Sequence, residues 1–186
     1  MRNRSTVQTV QIESYLVQNK LSTALKSIVG DAAWVGTEVR VPGSLRRWDM
    51  VYQSGKQQVI VEFDGEAHYR NSLTIKADVE KDEVAKSLGH RVVRIPFWVQ
   101  LTTKTLKYYF GLKAEIIQDF PHGFISKKNR MLPASFCELG VARFMRELED
   151  LPKPISKDVI SSLRERAKEY PHEYVLPKDL IHLLKA

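Results

Sequence analysis

The chain has 186 residues, of which 43% are hydrophobic, so it is long enough for one sizeable folded core with or without an appendage. Its formal net charge of +7 favours a polyanionic partner. The single cysteine excludes an intramolecular disulfide framework and gives no support to a cysteine-rich zinc site. We find no apolar run of membrane-spanning length and no signal-peptide core, so we expect a cytoplasmic protein without membrane contact.

The first third of the chain predicts a helix followed by strands. Apolar residues recur between polar ones over residues 7–28, which indicates one amphipathic helix, with a break near Asn19 as an alternative. Three later stretches are rich in the β-branched and aromatic residues typical of strands: 35–41, 47–52 and 58–64. The turn-like residues 53–56 would join the last two of these into a hairpin.

The middle of the chain predicts helices on either side of one more strand. Residues 71–88 predict a helix that ends before Gly89. We expect its buried stripe to consist of Ile75, Val79, Val84, Ala85 and Leu88. Residues 91–99 predict a strand in which Pro96 implies an edge position or a bulge, and residues 103–118 predict a second long helix. This order predicts a mixed α/β fold, with an antiparallel meander joined to a crossover strand.

The sequence Pro121-His122-Gly123 predicts a domain boundary. Residues 1–120 would form the α/β core. Residues 121–186 would form a helical appendage that could pack on this core, with helices near 134–148, 156–169 and 177–185.

Three carboxylates and a histidine lie around the predicted hairpin. Asp49 belongs to its first strand, Glu62 and Asp64 belong to its second, and His68 follows shortly after. Because side chains alternate along a strand, Glu62 and Asp64 share one face. Carboxylates grouped in this way can bind a divalent cation. In a basic protein, such a cation indicates hydrolysis of phosphodiester bonds.

Each of these residues also has an ordinary structural interpretation. Asp49 would pair with one of the two arginines before it, Glu62 would pair with a core arginine such as Arg94, and His68 would be a hydrogen-bonded loop residue. Charged residues of the next helix would form a solvated face: Lys76, Asp78, Lys81 and Asp82. For the carboxylates, clustering on adjacent strands favours a functional site over the separate structural roles.

Four short motifs occur in a fixed order within residues 38–99: Trp48-Asp49-Met50, Val61-Glu62-Phe63-Asp64-Gly65 with His68, Asp78-Val79-Glu80-Lys81-Asp82, and Gly89-His90-Arg91-Val92-Val93-Arg94. This set resembles the PD-(D/E)XK nuclease superfamily, and within it the very-short-patch-repair-like endonucleases. The resemblance implies a restriction-endonuclease-like core, a mixed β-sheet flanked by helices. In that fold, acidic residues of a bent hairpin hold Mg²⁺, or Mn²⁺ as an alternative, beside the scissile phosphate.

The resemblance places acidic metal ligands at Asp49 and Glu62, and it departs from the superfamily at Asp64, where lysine is usual. Asp64 would then be a further metal ligand, or the role of the lysine would pass to Lys76 or Lys81, or activity would be lost. The expected metal ligands are Asp49, Glu62 and Asp64. The expected catalytic set is Asp49, Glu62, Asp64, His68 and Lys81, in which His68 orients water, protonates the leaving oxygen or contacts phosphate.

Basic residues near the motifs and in a later loop are candidates for contact with nucleic acid: Arg46, Arg47, Arg70, Lys127, Lys128 and Arg130. Phosphate neutralisation by such residues supplies most DNA affinity. We therefore expect a Mg²⁺-dependent endonuclease acting on double-stranded DNA, in restriction or phage defence. The alternatives are a mismatch or repair nicking enzyme, a catalytically inactive nucleic-acid-binding module of the same fold, and an RNA-cleaving toxin. Cleavage of both strands would favour a homodimer.

Overall fold

The computed structural model describes residues 8–120, 123–124 and 131–185 of the chain. It is an α/β structure with a four-stranded sheet and a two-stranded sheet. The strands are β1 (Thr9–Ile12), β2 (Trp34–Arg40), β3 (Arg47–Ser54), β4 (Gln57–Asp64), β5 (Arg91–Pro96) and β6 (Glu115–Gln118). The helices are α1 (Gln18–Val29), α2 (Ala67–Arg70), α3 (Ser72–Ser87), α4 (Thr103–Phe110), α5 (Glu138–Asp150), α6 (Lys153–Glu169) and α7 (His172–Val175), and 3₁₀ turns cover Pro133–Ser135 and Lys178–Leu184.

The larger sheet is mixed and has the order β2-β3-β4-β5. Its first three strands form an antiparallel meander, and β5 runs parallel to β4 after a crossover through α3. Gly55, in the turn between β3 and β4, has a φ of 59°, which suits the tight turns that match the twist of paired strands. The predicted meander with a crossover strand is therefore confirmed, as is the edge position that Pro96 implied for β5.

Strand β4 lies between β3 and β5, and its two faces pack against different helices. Ile60 belongs to a buried cluster with Ala85 of α3, whereas Val61 belongs to the larger cluster that contains Leu25 of α1. Because side chains alternate along the strand, Glu62 is directed to the same side as Ile60, toward α3. The contact between α3 and the sheet therefore positions the acidic residues of β4.

Helix α3 has the predicted extent but not the predicted buried stripe. Asn71 caps its first turn by accepting hydrogen bonds from the backbone N–H groups of Leu73 and Thr74. Val79 and Leu88 are 55% and 46% exposed, so the prediction that they are buried is wrong. The buried residues of α3 include Asp78. Charged side chains of α3 face the sheet because β4 and β5 carry charged partners for them.

Two predicted helices are wrong over part of their length. Within residues 7–28, Thr9–Ile12 forms β1, which pairs in parallel with β6, and α1 starts only at Gln18. Within residues 103–118, α4 ends at Gly111, whose φ of 68° is in the left-handed region, and Glu115–Gln118 forms β6. The two errors have one cause, because β1 and β6 form a sheet with each other.

Helix α5 lies directly against α2. A Cβ atom at Gly140 would lie 1.7 Å from the carbonyl oxygen of Tyr69, so this close approach requires glycine. The backbone N–H of Cys137 donates a hydrogen bond of 3.0 Å to the same oxygen. Tyr69 and Trp98 belong to one buried cluster with Phe144 of α5. The C-terminal helices and the first 120 residues thus share a hydrophobic core.

The first two predicted C-terminal helices occur with shifted bounds, since α5 and α6 start at Glu138 and Lys153, and the third is a 3₁₀ helix over Lys178–Leu184. Pro121 and His122 of the predicted boundary lie outside the described residues, as do Lys127, Lys128 and Arg130. In the part of the chain that the structure describes, no helix combines the length and apolar character needed to cross a membrane.

Candidate functional site

Asp49 on β3 is held against the neighbouring strand β4. Its Oδ2 accepts a hydrogen bond of 2.8 Å from the backbone N–H of Phe63. Burial raises the pKa of Asp49, although the hydrogen bond from Phe63 and the charge of Lys81 oppose the rise. The carboxylate is therefore fixed in orientation, and its burial increases its affinity for a proton.

Glu62 on β4 is 2% exposed and contacts helix α3. Its Oε2 lies 2.6 Å from Nζ of Lys81, which also donates a hydrogen bond of 2.6 Å to the carbonyl oxygen of Arg47. The ion-pair partner of Glu62 is thus Lys81, whereas the structural interpretation of the sequence predicted Arg94. Among the described residues, no group donates a hydrogen bond to the buried Oε1 of Glu62.

The charge of Asp49 acts on the carboxylate of Glu62. Burial raises the pKa of Glu62 to about 7, with Lys81 opposing the rise and the charge of Asp49 adding to it. Two neighbouring acids of this kind repel each other when both are ionised, and a bound cation relieves that repulsion. The pair with Lys81 is therefore a candidate cation site beside a fixed ammonium group.

Asp64 shares a face of β4 with Glu62 but has different surroundings. It is fully buried. Its Oδ1 accepts a hydrogen bond of 2.6 Å from Arg94 of β5, and its Oδ2 accepts one from Arg143 of α5. Nδ1 of His68 lies 3.3 Å from Oδ1. The role of Asp64 as a metal ligand stays a prediction, which these contacts do not favour because both oxygens already have cationic partners.

His68 lies on α2 with Nδ1 2.7 Å from Oδ2 of Asp78 on α3. Burial acts to lower the pKa of His68, but the hydrogen bond to Asp78 and the nearby carboxylates outweigh it, so the pKa is raised. Among the described residues, Asp64, His68 and Asp78 offer ligand atoms within 4.8 Å of one another, a spacing that could hold a metal ion. The guanidinium groups of Arg94 and Arg143 contact the same carboxylates and would repel such an ion.

The expected solvated face of α3 is wrong for two of its four residues. Asp78 is buried, and Lys81 is largely covered by its contact with Glu62. Asp82 bonds to Arg94, with 2.8 Å between its Oδ1 and Nη2 of the arginine. Asp78, Lys81 and Asp82 of α3 are therefore partners of charged residues on the sheet, whereas Lys76 is exposed.

Arg143 is a site residue that sequence reasoning missed. It is buried on α5 together with Gly140, Phe144 and Leu148. The signal was present in the sequence, since an arginine lies at helical spacing among residues of the apolar face. A charged residue at such a position requires a buried acidic partner.

The basic residues predicted to contact nucleic acid are exposed where the structure describes them, namely Arg46, Arg47 and Arg70. Arg46 lies 2.8 Å from Glu80 and Arg70 lies 2.6 Å from Glu66. Arg47 donates a hydrogen bond of 3.2 Å to a backbone carbonyl. Ion pairs at such exposed positions contribute little, so these arginines can exchange their partners for phosphate groups.

An open groove of about 580 Å³ borders Lys81, between α3 and the loop that joins β2 to β3. Its lining carries charges of both signs, with Arg46 and Lys81 beside Glu80 and Glu83. Lys81 thus contacts the buried Glu62 and also lines this groove.

Comparisons of this chain with protein-family models, with curated proteins and with solved structures gave no significant match.

Proposed function

We propose that this chain is a Mg²⁺-dependent DNA endonuclease with a restriction-endonuclease-like core, in which Asp49 and Glu62 hold the cation and Lys81 faces the phosphate. One observation carries the proposal. Oε1 of Glu62 is buried without a hydrogen-bond partner among the described residues, next to a second carboxylate and a lysine. A buried carboxylate oxygen without a partner is costly, and a bound cation would compensate it.

The donor atoms fit Mg²⁺. This ion prefers oxygen ligands, keeps several waters and is commonly held by one or two carboxylates together with substrate phosphates. Asp49 and Glu62 supply two carboxylates and no soft ligand, and Mn²⁺ accepts the same set. The group formed by Asp64, His68 and Asp78 fits a cation less well, because two arginines neutralise it.

The residues of the chain would perform distinct parts of the hydrolysis. When bound, a divalent ion neutralises phosphate charge and makes water more acidic. Lys81 would direct its ammonium group at a non-bridging phosphate oxygen, because Glu62 and the carbonyl of Arg47 fix its position. Asp49 keeps its orientation through the N–H of Phe63. His68 remains the predicted proton donor for the leaving oxygen, with its ring fixed by Asp78.

Supercoiled plasmid, linear duplex and single-stranded RNA, each incubated with the purified protein in Mg²⁺, Mn²⁺ or EDTA, test the proposal. We expect cleavage of the DNA substrates in Mg²⁺ and none in EDTA. Nicked circles that never become linear would identify the nicking alternative, and cleavage of RNA alone would identify a ribonuclease. Salt-sensitive DNA binding without cleavage in either metal would contradict the proposal in favour of the inactive binding module.

A further inference from the structure

We infer that Arg143 of helix α5 is a positioning residue for the proposed site, which makes the C-terminal helices part of the catalytic framework. The inference rests on the proposed nuclease function. Arg143 lies outside the four motifs of residues 38–99. It belongs to a helix that the sequence predicts to be part of the C-terminal appendage.

The guanidinium group of Arg143 is fully engaged. Its Nη2 donates to Asp64, its Nη1 lies 2.9 Å from Oδ2 of Asp78, and its Nε lies 2.7 Å from Oε1 of Glu147. The group also lies over the ring of Tyr69, 5.0 Å from the ring centroid. Because Arg143 is only 5% exposed, it is a poor candidate for direct contact with DNA. Its effect on a reaction would have to pass through the acids that it binds.

Those acids belong to two of the three elements that build the proposed site, since Asp49 comes from β3. Asp64 lies two positions after Glu62 on β4, and Asp78 lies three positions before Lys81 on α3. By bonding to both acids, Arg143 connects β4 to α3. The contact between Glu62 and Lys81 is made between the same two elements, so its geometry depends on how firmly they are connected.

Arg94 makes a similar connection from β5, where it bonds to Asp64 and Asp82. Removing Arg143 would leave Asp64 and Asp78 buried at close range with only one arginine between them. Since an uncompensated buried charge is strongly unfavourable, the structure would relax by moving the acids apart or admitting water. Either response would shift α3 relative to β4.

The close contact between α5 and α2 holds Arg143 in place. Gly140 lies directly against the carbonyl of Tyr69, and Cys137 bonds to that carbonyl. Arg143 is three positions after Gly140, so it lies on the same side of α5. The arginine therefore projects toward the acids from the side of α5 that packs closely against α2, and this contact fixes the position of α5.

The test compares Arg143→Met and Arg143→Lys with Arg146→Met, a matched change on the exposed side of α5. We expect Arg143→Met to lower kcat for plasmid cleavage at least tenfold, with KM for DNA within twofold of wild type. Arg143→Lys should restore part of kcat, because lysine keeps the charge but lacks the planar fork that reaches two acids. Arg146→Met should leave both constants unchanged.

Amide hydrogen exchange provides a readout that does not require cleavage. In Arg143→Met, or in Arg143→Lys if the first variant does not fold, exchange should accelerate over residues 62–68 and 76–83, and it should stay at wild-type rates in Arg146→Met. Faster exchange confined to α5 and α6, with kcat unchanged, would overturn the inference. If the wild-type protein fails to cleave DNA while the exchange pattern appears, the proposed function fails and the connection between β4 and α3 stands.

Discussion

Nζ of Lys81 lies 2.6 Å from Oε2 of Glu62, so the ammonium group of a residue on helix α3 pairs with the buried carboxylate on β4. In the superfamily that the motifs resemble, the lysine comes from the strand itself, two positions after the acid. Here that strand position is Asp64, which is paired with Arg94 and Arg143. We propose that Lys81 replaces the missing strand lysine.

Lys81→Met should lower the rate of Mg²⁺-dependent DNA cleavage by a factor on the order of 10², as expected for the loss of one preorganised charged group in a transition state. Lys76→Met is the matched control, because Lys76 is exposed on the same helix and was the other candidate in the sequence. Single-turnover cleavage rates measure both effects. Equal losses in the two variants, or a loss only in Lys76→Met, would refute the assignment.

Glu62 should make the metal-free protein less stable as pH rises. Its pKa is about 7 in the folded state against an ordinary 4.5, so between these values the folded protein keeps a proton that the unfolded chain releases. This contribution to stability is complete below pH 4.5 and is lost as pH rises to 7, with a slope of at most about 1.4 kcal/mol per pH unit. Urea unfolding in EDTA from pH 5 to 8 measures the slope. In Glu62→Gln, the free energy of unfolding should change less with pH. Equal slopes in the variant and the wild type would rule out the raised pKa of Glu62.

Asp64→Asn should lower the stability of the fold without weakening the binding of Mg²⁺. Because Arg94 and Arg143 would lose a buried anionic partner, we expect a loss of about 3–5 kcal/mol in the free energy of unfolding. The Mg²⁺ midpoint for cleavage should stay at its wild-type value. Asp31→Asn, at an exposed ion pair, is the control and should change stability by no more than about 0.5 kcal/mol. A higher Mg²⁺ midpoint in Asp64→Asn would instead identify Asp64 as a metal ligand.

Affinity for duplex DNA should fall steeply with salt concentration, because basic side chains release counterions from the phosphates. Arg47→Ala should weaken binding to all duplex sequences alike and lower the slope of log K against log salt by about one. Lys168→Ala, at an exposed position in the last turn of α6, should leave the slope unchanged. Fluorescence anisotropy at several salt concentrations measures this. Binding that does not respond to salt would argue against a nucleic-acid partner.

The sheet and α3 could be predicted from local sequence. The β3–β4 hairpin follows from β-branched and aromatic runs on either side of Gly55, and α3 follows from its cap and its terminal glycine. The N-terminal strand β1 could not be predicted in this way. Val10 and Ile12 suit a helix or a strand, and the choice depends on pairing with β6, about a hundred residues later in the chain.

The candidate site could be predicted only in part. Asp49, Glu62 and His68 could be proposed together because they lie close in the sequence around one hairpin, but the structure places His68 beside Asp64 and Asp78. The environment of Asp64 could not be predicted, because its partner Arg143 is 79 residues away and belongs to a helix with no motif. Burial of Asp78 was missed for a related reason. Helical periodicity assigns charged residues to the solvent side unless their partners on other elements are known.

We propose above all that Asp49 and Glu62 hold the cation that DNA cleavage requires. The most direct measurement is the rate of plasmid cleavage against Mg²⁺ concentration for the wild type, Asp49→Asn and Glu62→Gln, with circular dichroism to verify that each variant is folded. Each substitution keeps the size of the side chain and removes a ligand charge. We expect the cleavage rate to fall by a factor on the order of 10³ or more in both variants, because a bound metal ion stabilises the transition state by several kcal/mol. Wild-type rates in both folded variants would contradict this proposal.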